Sequence, residues 1–286
     1  MTGQGKPLAP GLYFVATPIG AARDITLRAL DILGTADVIA AEDTRTLRHL
    51  MDIHGIALGD RPLIAYHDHN GERVRPRILA ALAEGKSVAY ASEAGTPLVA
   101  DPGFQLGRAA IEAGYSVIAA PGPSAVLAAL TVSGLPSDRF LFAGFPPSSG
   151  SQRRQWLAEM AAIPATLILY ESPKRLQGLL GDLALSFGEG RKAAICRELT
   201  KRFEEVTRGT LADLAAAYAD RLVKGEIVVV IDRPGPRVAD PDAIEAELRK
   251  ALECHSTKDA AGLVAEALGL PRRQVYQIAL KLAADG

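Results

Sequence analysis

Two of the 286 residues are cysteine, one is tryptophan and three are methionine. Cys196 and Cys254 stand far apart with no C-x-x-C pairing, so neither a zinc ribbon nor a disulfide framework is encoded, and a reducing compartment is expected. Charge of one sign is also lacking: 32 Lys and Arg against 33 Asp and Glu leave a formal net charge of -1. That excludes holding nucleic acid by global charge and leaves such contact to local basic patches. No apolar run reaches membrane-spanning length, and "MTGQGKPLAPG" lacks the charged-then-apolar pattern of a signal peptide. The expectation is a cytoplasmic protein. What remains, 48% hydrophobic and 23% charged, is an ordinary globular composition, long enough for two domains, or two plus an appendage.

Phosphate loops of the common kinds are missing as well. "EGKS" at 84–87 has the end of a Walker motif, but Ala80 stands where the first glycine belongs and a strand pattern follows where a helix should begin. "GEGRKA" at 188–193 fails the dinucleotide fingerprint for the same reason. Both read as helix-to-strand turns.

Between 11 and 130, short apolar runs ("GLYFVAT", "ADVIAAE", "LIAYH", "SVAYAS", "SVIAAPG") alternate with stretches of helical periodicity. This alternation predicts βαβ units and a mostly parallel sheet. Gly85 and Gly114 fall where left-handed C-caps end helices before strands. "GLPSDRFLFAGFPPSSGSQRRQ", 134–155, reads as a boundary rich in Gly, Pro and Ser. A second α/β pattern follows, closed by the Pro-punctuated linker "DRPGPRVADPD". The domains expected are 1–136, 137–233 and a helical 240–286. In the last, Ser256 with Asp259 makes a capping box, Gly269 a C-cap and Pro271 a first-turn proline, and two helices joined at "GLP" suggest a helix-turn-helix. Its Arg272 and Arg273 are the candidates to touch phosphates; a small appendage packed on its own core is the alternative.

Three loops have the right order, strand then turn then helix: "ATPIGAARDITLRA" at 16–29, where Asp24 and Thr26 can cap a helix; "SEAGTPLVADPG" at 92–103; and "APGPSAVLAAL" at 120–130, with a helix starting at Ser124. Converging at the carboxyl edge of a parallel sheet, such loops form a ligand crevice.

The ordered blocks "VATPIG", "DITLRAL", "AAEDTR", "YHDHN", "AGTPLVADPG", "PGPSA", "ALTVSGLPSDRFLFAGF", "YESPKRL", "RELTKRFEE" and "KGEIVVVI" resemble the ribosomal RNA small-subunit methyltransferase I family, a branch of the tetrapyrrole-methylase superfamily. The match runs from about 11 to 233, and the helical tail is also typical. The resemblance implies two α/β domains of tetrapyrrole-methylase type, an S-adenosyl-L-methionine cleft between them and a small C-terminal helix-turn-helix-like domain. It also implies methylation of the ribose 2'-hydroxyl of a cytidine in small-subunit ribosomal RNA, as free rRNA or assembled subunit, by a homodimer that needs no metal.

Carried over by block, the resemblance makes Pro18, Glu93, Ala94, Gly95, Thr96, Pro97, Val99, Ser124, Ala125, Tyr170, Glu171 and Ser172 the cofactor-binding residues. A ribose hydroxyl is a weak nucleophile until its proton is polarised or removed. From the charged blocks, Lys201 is the expected polariser and Glu198 the base. Asp43, Arg45, His67 and Arg197 join Arg272 and Arg273 as substrate-binding candidates. Clusters at Arg73, Arg75 and Arg77, at Arg153 and Arg154, at Lys174 and Arg175, and at Lys201 and Arg202 would serve RNA. His67 and His69, on one side of a predicted strand, lack an evident third metal ligand, so contact to substrate or a hydrogen-bonding role is the reading taken. Asp101 reads as a turn bracing the cofactor loop. The chain departs from the family pattern at Ala21, where "PIGN" is usual, and at Glu93, where "SDAGTP" is usual. A tetrapyrrole methyltransferase and a non-catalytic RNA-binding or assembly factor on the same fold are the competing readings.

Overall fold

The computed structural model describes residues 7–100, 103–235, 241–268 and 270–284. Asp101 and Gly269, given a turn and a cap above, lie outside them. The chain forms two compact units, residues 1–233 and 234–286.

The first sheet of the larger unit is built from β1 (Gly11–Val15), β2 (Val38–Ala41), β3 (Leu63–Ala65), β4 (Ser87–Ala91) and β5 (Val117–Ala120), in the order β3-β2-β4-β1-β5. All four pairings are parallel. The intervening helices are α1 (Leu27–Thr35), α2 (Thr44–Ile53), α3 (Gly71–Ala83) and α4 (Phe104–Glu112). They cover both faces, so β1, β2 and β4 are buried along their whole length and read as continuous apolar runs. Thr26 alone caps α1, its hydroxyl accepting from Ala29 N–H at 3.1 Å. Gly85 and Gly114 take the left-handed conformation expected of them, at φ +74° and +79°.

The stretch read as a boundary loop holds structure. Within 134–155 lie β6 (Phe140–Gly144) and the start of α6 (Gly150–Met160). The Gly, Pro and Ser residues around "FLFAG" masked its β-pattern. With β7 (Thr166–Glu171), β8 (Lys192–Arg197), β9 (Glu205–Thr210) and β10 (Ile227–Ile231), β6 makes a second sheet ordered β6-β7-β10-β8-β9. Only β6 and β7 are parallel; the other pairings are antiparallel. One face carries α6, α7 (Pro173–Phe187) and α8 (Leu211–Ala217), over a core including Leu157, Leu179, Leu183, Ile195 and Val229.

The other face takes α5 (Ala125–Ser133), the helix that follows β5. Its Val126, Ala129 and Leu130 pack against Ile168, Ala194, Cys196 and Val228, so a helix from the first α/β pattern completes the core of the second sheet. Arg208 closes the far end of α5 by donating to the carbonyls of Val132 and Ser133.

The smaller unit is three helices, α9 (Pro241–Leu252), α10 (Thr257–Leu268) and α11 (Arg272–Ala284), around Ile244, Leu248, Ala261, Val264, Leu270, Val275 and Ala279. The Ser256 hydroxyl accepts from Asp259 N–H at 3.2 Å and donates to Asp259 Oδ2 at 2.6 Å, anchoring the start of α10. No helix of the described residues is long and apolar enough to cross a membrane.

Candidate active site

The three strand-end loops of the first sheet are tied to one another through backbone. Thr17 and Gly95 exchange N–H···O bonds, both of 3.0 Å. The Thr17 hydroxyl donates to Ser92 O at 3.1 Å, and the Thr96 hydroxyl to Pro123 O at 2.8 Å. Gly95 sits at φ +83°, and a Cβ there would come within 3.2 Å of Ile19, which explains glycine at this crossing. Ser124 caps α5, its hydroxyl oxygen 3.5 Å from Leu127 N.

Beneath these loops opens a cavity of about 530 Å³, within the range of small-molecule sites. Its first-sheet wall carries Ile19, Glu42, Glu93, Ala94, Val99, Ala100 and Ala125. The opposite wall carries Phe145, Tyr170, Glu171, Ser172, Pro173, Cys196, Leu199, Gly225, Glu226, Ile227 and Val228. Of the residues carried over as cofactor-binding, Glu93, Ala94, Val99, Ala125, Tyr170, Glu171 and Ser172 line the cavity. Pro18, Gly95, Thr96, Pro97 and Ser124 are not among the lining residues; they belong to the loops that carry this wall.

Sheet register explains the second wall. β10 lies between β7 and β8, and Ile227 pairs with both Glu171 and Arg197. The ends of three strands far apart in sequence therefore meet at one edge, with Glu226 beside them. Glu171 is 2% exposed. Its Oε1 accepts from Ser172 N–H at 2.7 Å and lies 3.2 Å from Arg175 Nε, while its Oε2 is buried with no hydrogen-bond partner among the described residues. Burial pushes the Tyr170 phenol up to about 12, with the Glu226 charge adding to the shift and the nearby Val126 backbone opposing it. Burial likewise pushes the Cys196 thiol up to about 11, which makes it an inert wall residue.

Lys201 and Glu198 meet, but not at the cavity wall. Lys201 Nζ lies 3.0 Å from Glu198 Oε1 and 3.0 Å from Glu226 Oε2, and Glu226 N–H donates to Glu198 Oε1 at 2.9 Å. Glu198 is thus a brace. The Glu226 backbone bond and the Lys201 ammonium hold its carboxyl below the usual range despite burial. Burial works against charge on Lys201, and its hydrogen bonds to Glu198 and Glu226 outweigh burial, holding the ammonium above the ordinary lysine value.

The four non-glycine residues at positive φ among those described are Leu98, Ala100, Glu198 and Thr200. Such conformations cost on the order of 1–3 kcal/mol each and gather at functional sites; all four belong to the two loops that border this cavity.

The remaining candidates spread out. Asp43 caps α2, accepting from Arg45 N–H at 2.7 Å and from the Arg45 guanidinium at 2.9 Å. Those bonds hold its carboxyl down to about 2. Arg45 is fully exposed and feels the Glu93 charge. Arg197 donates to Glu205 and to Lys224 O, bracing β8 against β9, and it does not line the cavity. His67 and His69 lie in the turn after β3 rather than on a strand. The His67 N–H donates to Asn70 Oδ1 and its ring meets the Asn70 amide at 3.1 Å, so it shapes the entry to α3. Among the described residues no group of three or more His, Cys, Asp or Glu is placed to hold a metal.

Several basic clusters are engaged internally. Arg153 is buried against Asp182 at 2.7 Å, and Arg75 Nε donates to Tyr66 Oη. In the smaller unit Arg273 is exposed, while Arg272 reaches Lys258 O at 3.4 Å.

Sequence reasoning missed Phe145, Leu199, Gly225 and Glu226. The signal for Glu226 was present: "KGE" places a carboxylate directly before a buried strand.

Residues 11–215 match the family model described as Tetrapyrrole (Corrin/Porphyrin) Methylases, and residues 238–283 match the one described as RsmI C-terminal HTH domain. Among solved structures, diphthine synthase superposes with a TM-score of 0.60 at 19% identity, covering 77% of this chain and 89% of that one. A Thermus thermophilus uroporphyrin-III C-methyltransferase complexed with S-adenyl homocysteine does so with a TM-score of 0.53 at 19% identity, covering 77% and 96%. Fold and cleft together thus define a methyltransferase of the tetrapyrrole-methylase class. Proteins called Ribosomal RNA small subunit methyltransferase I are closer in sequence: that of Mesorhizobium japonicum is 49% identical over 97% of this chain and 94% of its own length. Those of Xylella fastidiosa and Mycobacterium tuberculosis are 46% and 43% identical, over 93% and 94% of this chain and 98% and 94% of theirs. The chain belongs to the ribosomal RNA small subunit methyltransferase I family.

Proposed function

We propose that this protein transfers a methyl group from S-adenosyl-L-methionine to the ribose 2'-hydroxyl of a cytidine in small-subunit ribosomal RNA. The observation that carries this reading is the Lys201 ammonium, pinned between Glu198 and Glu226 beside a cavity of about 530 Å³.

The residues present suit the cofactor. Glu42, Glu93, Glu171 and Glu226 give the walls carboxylates that favour a sulfonium cation, while Ala94, Ala125, Ile227 and Val228 give close apolar surface. When bound, the cofactor supplies an electrophilic methyl group and needs no metal. The chain must hold the acceptor oxygen in line and manage its proton. Lys201, charged at neutral pH and 3.0 Å from the wall carboxylate Glu226, sets positive charge beside the oxygen on which negative charge develops. The base is Glu226, because it lines the cavity where Glu198 does not. Arg45, exposed at the Glu93 side, takes RNA phosphate, and Arg273 does so from the helical unit. At Ala21 the contact to the Thr200 hydroxyl, 3.1 Å, is made by backbone N–H and does not depend on the side chain. The family resemblance adds a homodimer acting in the cytoplasm, and sedimentation at micromolar concentration tests the dimer.

Labelled S-adenosylmethionine and small ribosomal subunits lacking the modification test the activity. Label on a cytidine ribose is the expected result; binding of subunits without transfer sinks the enzyme reading in favour of an assembly factor.

A further inference from the structure

We propose that Phe145 is a stacking platform for a nucleobase of the RNA substrate; the proposal rests on the RNA reading above. Phe145 follows β6, lines the cavity and is 58% exposed, so its ring is open to a ligand at the cavity edge. The ring is held in place. It meets Tyr170 edge-on at 5.5 Å and 66°, and Tyr170 meets Phe142 at 4.7 Å and 61°. Tyr170 and Phe142 both pack against the buried cluster that holds Val126 of α5 and Ile168 and Val228 of the second sheet, so the three-ring ladder is anchored at its inner end.

The loop bearing Phe145 is held as well. Arg175 Nη2 donates to the carbonyls of Pro146 and Pro147, and the two prolines fix φ directly after the ring. A rigid, exposed aromatic face loses little entropy on stacking, and every base offers a π-face to it. The buried part of the lining is small and aliphatic, Cys196, Leu199, Ile227 and Val228, which suits a small cofactor. Phe145 stands at the exposed edge, where a polymer can reach. The exposed Lys174 adds positive charge for the adjoining phosphates. The occupant is therefore an RNA base rather than the cofactor's adenine.

The test compares Phe145→Ala, Phe145→Leu, Phe145→Trp and the unaltered chain, full length, on small ribosomal subunits lacking the modification. Three quantities are read: KM for subunits, kcat at saturation, and Kd for S-adenosylmethionine by calorimetry. Alanine and leucine should raise KM by roughly 5- to 150-fold, the range of base-aromatic stacking. The Kd for S-adenosylmethionine should stay within about twofold, and tryptophan should restore KM. If leucine serves as well as phenylalanine, the ring is apolar filler and the proposal is overturned. A Kd weakened in parallel with KM also overturns it, since Phe145 would then belong to the cofactor wall. Failure of the unaltered chain to transfer methyl is the separate failure of the RNA methylation reading. In that case subunit affinity by filter retention replaces KM, and the same comparison among variants decides.

Discussion

A Cβ placed on Gly20 would lie 2.5 Å from Cγ of Lys201. It would also fall 2.6 Å from the Thr200 hydroxyl oxygen and 3.0 Å from Leu199 O, so the turn after β1 is seated directly on the loop that carries the lysine. The two loops meet here through a glycine because a Cβ fits only if the Lys201 and Thr200 side chains shift.

Gly20→Ala should therefore act on the site more than on the fold. We expect a weaker Kd for S-adenosylmethionine and a lower kcat, with the melting temperature changed by only a few degrees. Calorimetry and steady-state kinetics check this; unchanged kinetics would mean that the lysine loop moves aside freely.

Lys201→Met removes the ammonium and leaves Glu198 and Glu226 facing each other. Losing one such stabilising donor lowers kcat by about 10²- to 10³-fold. Because the lysine is held above its ordinary value of 10.5, kcat in the unaltered protein should show no lysine limb between neutral pH and about 10. A kcat profile falling between pH 7 and 9 would contradict that charge state. Glu226→Gln should lower kcat by about 10²-fold while sparing cofactor affinity.

Arg153 and Asp182 form a pair whose side chains are 11% and 10% exposed. Removing one partner of a buried pair leaves a charge unmatched and costs about 3–5 kcal/mol. Asp182→Ala should lower the melting temperature by roughly 6–20 °C, at about 2–4 °C per kcal/mol for a unit of this size. Scanning calorimetry checks it; a shift under 2 °C would show that water reaches the arginine.

Glu205 accepts from Arg221 at 2.7 and 2.6 Å and from Arg197 at 3.1 Å, which holds its carboxyl down to about 2 from an ordinary 4.5. Its folded-state value is depressed, so its contribution is fully present above about pH 4.5 and is lost as pH falls towards 2. The stability difference between the unaltered protein and Glu205→Gln should accordingly shrink across that window. Denaturant titrations at pH 6, 4 and 3 measure it.

Deleting residues 234–286 should weaken subunit binding and leave S-adenosylmethionine binding intact, because the division of the chain falls at Arg233. Equal subunit affinity with and without the helices would remove the role proposed for Arg273.

The loops were the legible part of the site. Gly, Pro and small polar residues between a buried run and a helix leave few conformations available, so "ATPIG", "SEAGTP" and "PGPSA" announced a crevice before any coordinates. The basic clusters misled, because arginine looks alike in sequence whether it faces solvent or, like Arg153, is buried against a carboxylate. Glu198 misled for a related reason: its left-handed backbone at φ 51° turns the side chain back to the Glu226 N–H, and no local pattern foretells that.

By itself, then, the sequence determined the alternation of strands and helices between 11 and 130, caps such as Thr26, Ser124 and Ser256, the three converging loops and the family likeness. These follow from periodicity and turn chemistry, which act over a few residues. Only the tertiary structure decided which side chains face the cavity. β10 inserts between β7 and β8, so the register at Ile227 sets Glu226 beside Lys201 and near Tyr170, while the turn after β6 brings Phe145 to the same edge. That neighbourhood joins residues from 145 to 226, and pairing over such separations depends on the assembled sheet, not on any local preference.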